Sequence, residues 1–192
     1  NKIFEKLTNQ LTETIDSSVA LALHNKNQEV EVIHLLWALL TNTNSVLNQL
    51  LNKMNVNKVA IELEAKSYAS KLPSVSSVTK ESIKLSRNLV SSLQNAEGLM
   101  ASFGDKFIAV DTWLISNLDS SVIKDVLGKY VDLKEAKKEL EAMRAGKTID
   151  SNSGDENLEA LNKYGIDLNK KAIDGLLDPV IGRDEQISRM MQ

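Results

Sequence analysis

Reading from the N-terminus, Phe4, Leu7, Leu11, Ile15, Val19 and Leu23 recur every three or four positions, which predicts one long helix with a single buried stripe. A polar HNKNQEVE follows, and then VIHLLWALL, apolar on nearly every side and so predicted as a short, fully buried helix. Asn44 is placed to cap a third helix carrying Val46, Leu47, Leu50, Leu51 and Met54. Asn57 caps a fourth with Val59, Ile61, Leu63 and Tyr68, closed by Pro73. The hydroxyl-rich SVSSVTKES is a poor helix former and reads as a connector.

The pattern then begins again. Leu85, Leu89 and Leu93 stand 78 positions beyond Leu7, Leu11 and Ile15, and GDKFIAVDTWLISNL follows its long helix as KNQEVEVIHLLWALL follows the first. IELEA at 61–65 matches KELEA at 138–142 at a spacing of 77, which places a small indel in the loops. Asp132 and Gly146 bound a last helix, LKEAKKELEAMRAG. The prediction is an all-α fold over 1–145 made of two four-helix units, 1–73 and 79–145. Two such units pack together as one pseudo-twofold bundle, because a solenoid needs three or more repeats.

Beyond that bundle the pattern fails. KTIDSNSGDEN carries a single apolar residue, Ile149, so 146–157 is expected to be an unpacked, flexible tether. LEALNKYGIDLNKKAIDG then offers two short helical stretches leading into LLDPVIGRDEQI at 176–187. There Pro179 fixes its own φ and biases Asp178 toward an extended conformation, while Gly182 permits a sharp turn, pinning Val180 and Ile181 on a rigid bend. A pinned apolar pair suits the flat face of a nucleotide base, or simply anchors the tether to the next domain.

Composition removes several classes of function. The 192 residues are 42% hydrophobic, which excludes a disordered chain. A net charge of −3 with both signs interleaved offers no basic stripe, so nucleic acid is not expected as a partner. No cysteine is present, which excludes disulfides, thiolate metal sites and a cysteine nucleophile, and agrees with a cytoplasmic setting. No apolar run reaches the roughly 18 residues of a membrane span, and NKIFEKLTNQL is not a secretory signal, so no membrane partner is expected. The chain opens on Asn1 rather than a methionine and reads as a piece of a longer product.

Candidate chemistry is sparse. His24 and His34 are the only histidines and lack the acidic neighbours of a metal site; His34 reads as a core or capping residue. No GxSxG elbow and no GxxxxGK[ST] phosphate loop occurs, so neither nucleophilic catalysis nor ATP hydrolysis is expected of this chain. Asp105 and Asp111 bracket Phe107, Ile108 and Val110 in a loop leading to Trp113 and suit turn and N-cap carboxylates. Leu89, Val90 and Leu93 cannot all face one core stripe, which predicts that part of their helix lines an exposed apolar groove.

The duplicated units, the MRAGKTIDSNSGDEN linker and above all EALNKYGIDLNKKAIDGLLDPVIGRDEQI resemble the Clp family of ring-forming AAA+ unfoldases, most closely its ClpB-type disaggregase branch. The resemblance spans the chain: 1–145 is similar to the duplicated Clp N domain, and 158–192 to the start of the first nucleotide-binding domain. It implies a domain that binds unfolded or aggregated polypeptide for an ATP- and magnesium-dependent parent homohexamer, which threads the client and works with a DnaK-type chaperone system. The fragment itself is expected to be monomeric and to hold no cofactor or metal. Val180 and Ile181 would contact adenine in the parent only. Thr8, Asp105 and Asp111 match a polar cluster associated with client handling, beside a groove to which Val90, Leu93 and Phe107 are assigned. This chain departs from the family pattern with Asp at 111, where Glu is usual, and Thr at 112, where an apolar residue is common. The alternative is an adaptor-docking N domain of the protease-associated ClpA/ClpC type, which recognises a folded partner.

Overall fold

The computed structural model describes residues 2–156, all within a compact unit that runs Asn1–Leu158. The expectations for 158–192, including Val180 and Ile181, fall outside the described residues.

Among the described residues, eight α-helices form two units of four. The first holds α1 (Asn9–His24), α2 (Val32–Thr41), α3 (Val46–Met54) and α4 (Lys58–Ser70). The second holds α5 (Arg87–Phe103), α6 (Val110–Asn117), α7 (Ser121–Val126) and α8 (Leu133–Arg144). Thr8 and Ser86, 78 positions apart, cap α1 and α5 through hydroxyls that accept the Leu11 and Leu89 N–H groups. The loops before α2 and α6 repeat a left-handed turn at Lys26 (φ 59°) and Gly104 (φ 75°).

The units are joined reciprocally. Leu7, just before α1, bridges in parallel to Ile108 before α6. The strand β1 (Glu29–Val30) before α2 pairs in parallel with β2 (Lys84–Leu85) before α5, with Val30 opposite Leu85. Each repeat therefore donates its entry segment to the other's loop. Helix packing obeys the same exchange, with α3 on α6 and α8 answered by α7 on α2 and α4. One continuous apolar core results, in which Leu11, Leu35, Leu47, Leu89, Leu93 and Trp113 lose all or nearly all contact with water. Each such leucine contributes about 1.5–3 kcal/mol by burial. VIHLLWALL is buried from Val32 to Leu40, as its unbroken apolarity predicts.

Several local expectations are corrected. The first helix does not run through Phe4: residues Lys2–Lys6 form a 3-10 turn, Phe4 is 38% exposed, and Leu7 leaves helical geometry to make its bridge. The cap of α3 is Ser45, whose hydroxyl accepts the Asn48 N–H, rather than Asn44. In α4 only Ile61, Ala65 and Ala69 are buried, while Val59 and Leu63 are 69% and 60% exposed. The caps of α4 and α8, Asn57 and Asp132, show that their true offset is 75 and not 77. Under the offset of 75 the stripe Ile61, Ala65, Ala69 falls on Ala136, Leu140, Arg144, all buried; the matching IELEA and KELEA strings are out of structural register.

The segment after α8 is not an unpacked tether. Residues 147–156 lie as a strap on the second repeat and the start of α1, with Ile149 and Asp155 both buried. Ile149 packs with Ala109 and Phe107, and main-chain bonds fix the strap's path. Counting its apolar residues missed this because backbone groups and one carboxylate supply most of the attachment.

Candidate functional site

The last residue of α8 is an arginine that reaches the centre of the second repeat. Arg144 Nη1 meets both oxygens of Asp105 at 2.9 and 2.7 Å. Its Nε and Nη2 donate to the two oxygens of Asp111 at 2.9 and 2.7 Å, and Nη2 also donates to Thr112 Oγ1 at 3.0 Å. The guanidinium carbon sits 4.9 Å from the centre of the Phe103 ring, a cation–π contact. Burial works against the charge on Arg144, but Asp111 and then Asp105 outweigh it and raise its pKa. Two carboxylates on one arginine leave the cluster a formal negative charge.

Asp105 and Asp111 are thus brought together, though not as caps. Ala109 occupies the N-cap of α6, Asp111 lies in the helix's first turn, and Asp105 accepts the Ile149 N–H at 2.8 Å besides holding Arg144. The hydroxyl of Thr112 is used rather than idle, since an apolar residue there would leave one guanidinium N–H without its acceptor. Arg144 itself was hidden from the sequence by the wrong offset: at 77 it falls opposite exposed Ser67, at 75 opposite buried Ala69.

Thr8 stands at the edge of this cluster and is fully buried. Its hydroxyl accepts the Leu11 N–H and donates to Asp155 Oδ2 at 2.7 Å. The same Oδ2 accepts the Val110 N–H at 3.4 Å, so one carboxylate spans the N-terminal ends of α1 and α6. Both ends carry partial positive charge from unpaired backbone N–H groups. Burial nevertheless raises the Asp155 pKa from 3.8 to about 6, with the Asp111 charge adding to it and the Thr8 and Val110 bonds opposing it. Asp155 was missed because its surroundings in sequence are those of a linker.

The remaining assigned residues divide. Val90 and Phe107 are half-buried, and Phe107 packs beside Ala109 and Ile149. Leu93 is fully buried together with Leu89, which corrects its assignment to an exposed groove: of the three neighbours on α5, only Val90 reaches the surface. His34 is both core and capping residue, its Nδ1 accepting the Glu31 N–H at 2.8 Å while Nε2 meets Asn27 Oδ1 at 2.9 Å. Burial lowers its pKa from 6.5 to about 4. Among the described residues no group of three or more His, Asp or Glu side chains is arranged to hold a metal ion.

Comparison with known proteins agrees with this architecture. The model of the Clp repeat (R) N-terminal domain matches residues 6–130. The chaperone protein ClpB of Wolinella succinogenes is 58% identical over 98% of this chain and 22% of its own length. The chain therefore spans about a fifth of the curated relatives it matches. Among solved structures, the Hsp104 N-terminal domain from Candida albicans aligns with a TM-score of 0.70 at 22% identity, covering 78% of this chain and 99% of that one. A ClpV N-domain in complex with a VipB peptide aligns with a TM-score of 0.57 at 19% identity, covering 76% and 91%.

Proposed function

Because this chain belongs to the Clp N-terminal domain family and is similar over nearly its whole length to ClpB chaperones, we propose that it binds unfolded or aggregated polypeptide. The observation that carries the reading is how the fold treats non-helical chain. Asn9 N–H donates to Asn152 O at 2.7 Å and Lys106 N–H to Ile149 O at 2.8 Å, so loop and helix-end amides grip a strap by its backbone. Main-chain bonds are blind to sequence, which is the property a surface needs to accept many clients. Phe107, packed on Ala109 and Ile149, supplies apolar area beside the Lys106 amide. The client site in this reading is the surface at Phe107 and the strap, over the buried Thr8, Asp105 and Asp111, with half-buried Val90 on α5, above buried Leu89 and Leu93 in the core, as a further apolar contact.

The parent protein would supply the rest: an ATP- and magnesium-driven homohexamer, in the cytoplasm, threading what this domain captures and receiving clients with a DnaK-type system. This chain acts there as a binding module. Among the described residues no helix is long and apolar enough to cross a membrane. The ClpV neighbour with its peptide favours a second reading, recognition of one defined partner segment.

Titrating a labelled, reduced and carboxymethylated lactalbumin onto the chain tests the proposal. Binding near micromolar or weaker is expected, about −8 kcal/mol or less. Val90→Asp should weaken it with circular dichroism unchanged. No binding of the unfolded probe, alongside capture of a folded adaptor, would replace the client reading with adaptor docking.

A further inference from the structure

The notch at Thr8 is filled by the chain itself, and two features set that contact apart from the rest of the strap's packing. The pairing of 147–149 with Asp105 and Lys106 has a counterpart in the first repeat, where Val75 N–H donates to Lys26 O at 2.8 Å and Asn27 Nδ2 to Pro73 O at 3.1 Å. That part of the strap belongs to the repeat architecture. The carboxylate at Thr8 has no such counterpart: Ser86 caps α5 through the Leu89 N–H and makes no hydrogen bond to an acidic side chain among the described residues.

The second feature is an imperfect fit. Asp155 is only 4% exposed, yet its Oδ1 has no hydrogen-bond partner among the described residues, and the Asp111 charge lies close enough to disfavour it. The turn that delivers it is tight, since a Cβ on Gly154 would stand 2.8 Å from Ile149 Cγ2. Asp155 is therefore held through one oxygen, by a short bond from Thr8 Oγ1 and a long one from the Val110 N–H, while its other oxygen goes unserved.

We propose that Thr8 Oγ1 and the Val110 N–H form a recognition point for an acidic side chain on a polypeptide turn, beside the Asn9 N–H that takes a backbone carbonyl, and that Asp155 fills it as an internal stand-in which the client displaces. The inference deepens the client-binding reading and rests on it. The ligand pattern is set by the strap: a backbone carbonyl on Asn9 N–H, as Asn152 supplies, and a carboxylate three residues later. Two donors and two helix ends meet the carboxylate, while a basic side chain would meet like partial charge.

The test uses the full chain, wild type and Asp155→Ala, with two probes: labelled peptide KTIDSNSGDEN, and the carboxymethylated lactalbumin. Asp155→Ala should bind both at least tenfold more tightly than wild type, and changing the peptide's Asp at the position of 155 to Asn should abolish most of the gain. Equal lactalbumin binding by wild type and variant would overturn the displacement proposal and leave the client reading standing. Peptide binding by the variant without lactalbumin binding by either chain would keep the notch and sink the client reading; no binding of either probe would overturn both. Should the variant fail to fold, hydrogen exchange of the wild type decides. Saturating lactalbumin should speed exchange at the Gly154 and Glu156 amides, which donate to Ser151 O and Ser153 O in the docked strap. Unchanged exchange there with client bound overturns the proposal.

Discussion

His34 and Thr112 hold the same place in the two repeats, 78 positions apart, as do Asn27 and Asp105, yet the first pair is neutral and the second belongs to an ion cluster. In the first repeat His34 Nδ1 accepts the Glu31 N–H, so its proton sits on Nε2 and is donated to Asn27, which passes a bond to the Pro73 carbonyl. In the second, Asp105 and Asp111 share Arg144 from the end of α8. Both solutions tie the loop before the buried helix to the chain leaving the last helix. The neutral one avoids desolvating charge; the ionic one incurs that cost and leaves a negative surplus beside the notch that the strap fills. One backbone plan thus tolerates two polar centres, and only the charged one adjoins the notch that Asp155 occupies.

The largest effect is expected from Arg144→Met. Removing one partner of a buried ion group strands the others, so a loss of about 3–5 kcal/mol is expected in denaturant unfolding. Arg144→Lys should recover only part, because a point charge cannot serve both carboxylates and Thr112 with the arginine's fork. A loss under about 1 kcal/mol would mean that the two centres are energetically alike.

The two repeats should also respond to acid with opposite signs. His34 has a folded pKa depressed from 6.5 to about 4, so its contribution is complete above 6.5 and is lost as pH falls through that window. The slope approaches about 1.4 kcal/mol per pH unit. Asp155 has a folded pKa raised from 3.8 to about 6, so its contribution is complete below 3.8 and is lost as pH rises through about 6. The acidic groups around that end of the strap are Asp111, held by Arg144, and Glu156 with Glu13, whose own pKa is raised by burial, then Glu156 and Asp16. Melting curves from pH 7 to 5 check this: His34→Gln should flatten the acid decline, and Asp155→Asn should steepen it. Parallel curves for all three chains would erase the contrast.

A smaller difference separates the two caps. Ser86→Ala should cost about 1 kcal/mol, the usual value of an N-cap, while Thr8→Ala should cost more because it also strips Asp155 of its hydroxyl donor. Equal losses would show that the Asp155 contact adds nothing to stability.

The least sensitive positions lie on the outer faces of the last helices. Val59 and Leu63 are exposed on α4 where the offset of 75 puts Lys134 and Lys138 on α8. Leu63→Lys should change unfolding free energy by no more than about 0.5 kcal/mol.

Much of the fold was legible from periodicity. The offset of 78 links Leu7, Leu11 and Ile15 to Leu85, Leu89 and Leu93, and it coincides with the reciprocal bridges of Leu7 to Ile108 and Val30 to Leu85. Caps at Asn57 and Asp132 followed from side-chain chemistry that acts within three residues. The candidate site was half legible, since the family resemblance named Thr8, Asp105 and Asp111 as a cluster but neither it nor local spacing named Arg144 or Asp155.

By itself the sequence determined what repeats within a turn or two of helix: the apolar stripes, the caps and the duplication. Tertiary structure decided what depends on partners distant along the chain. Asp155 lies 147 positions from Thr8, and Arg144 lies 39 from Asp105, so neither contact leaves a local pattern. Whether 147–156 floats or docks turned on backbone amides and one carboxylate finding complements on other elements, and hydropathy does not record backbone hydrogen bonds. The same reason explains why Leu7 abandons a helical stripe that its spacing fits: its backbone gains a strand partner in the opposite repeat.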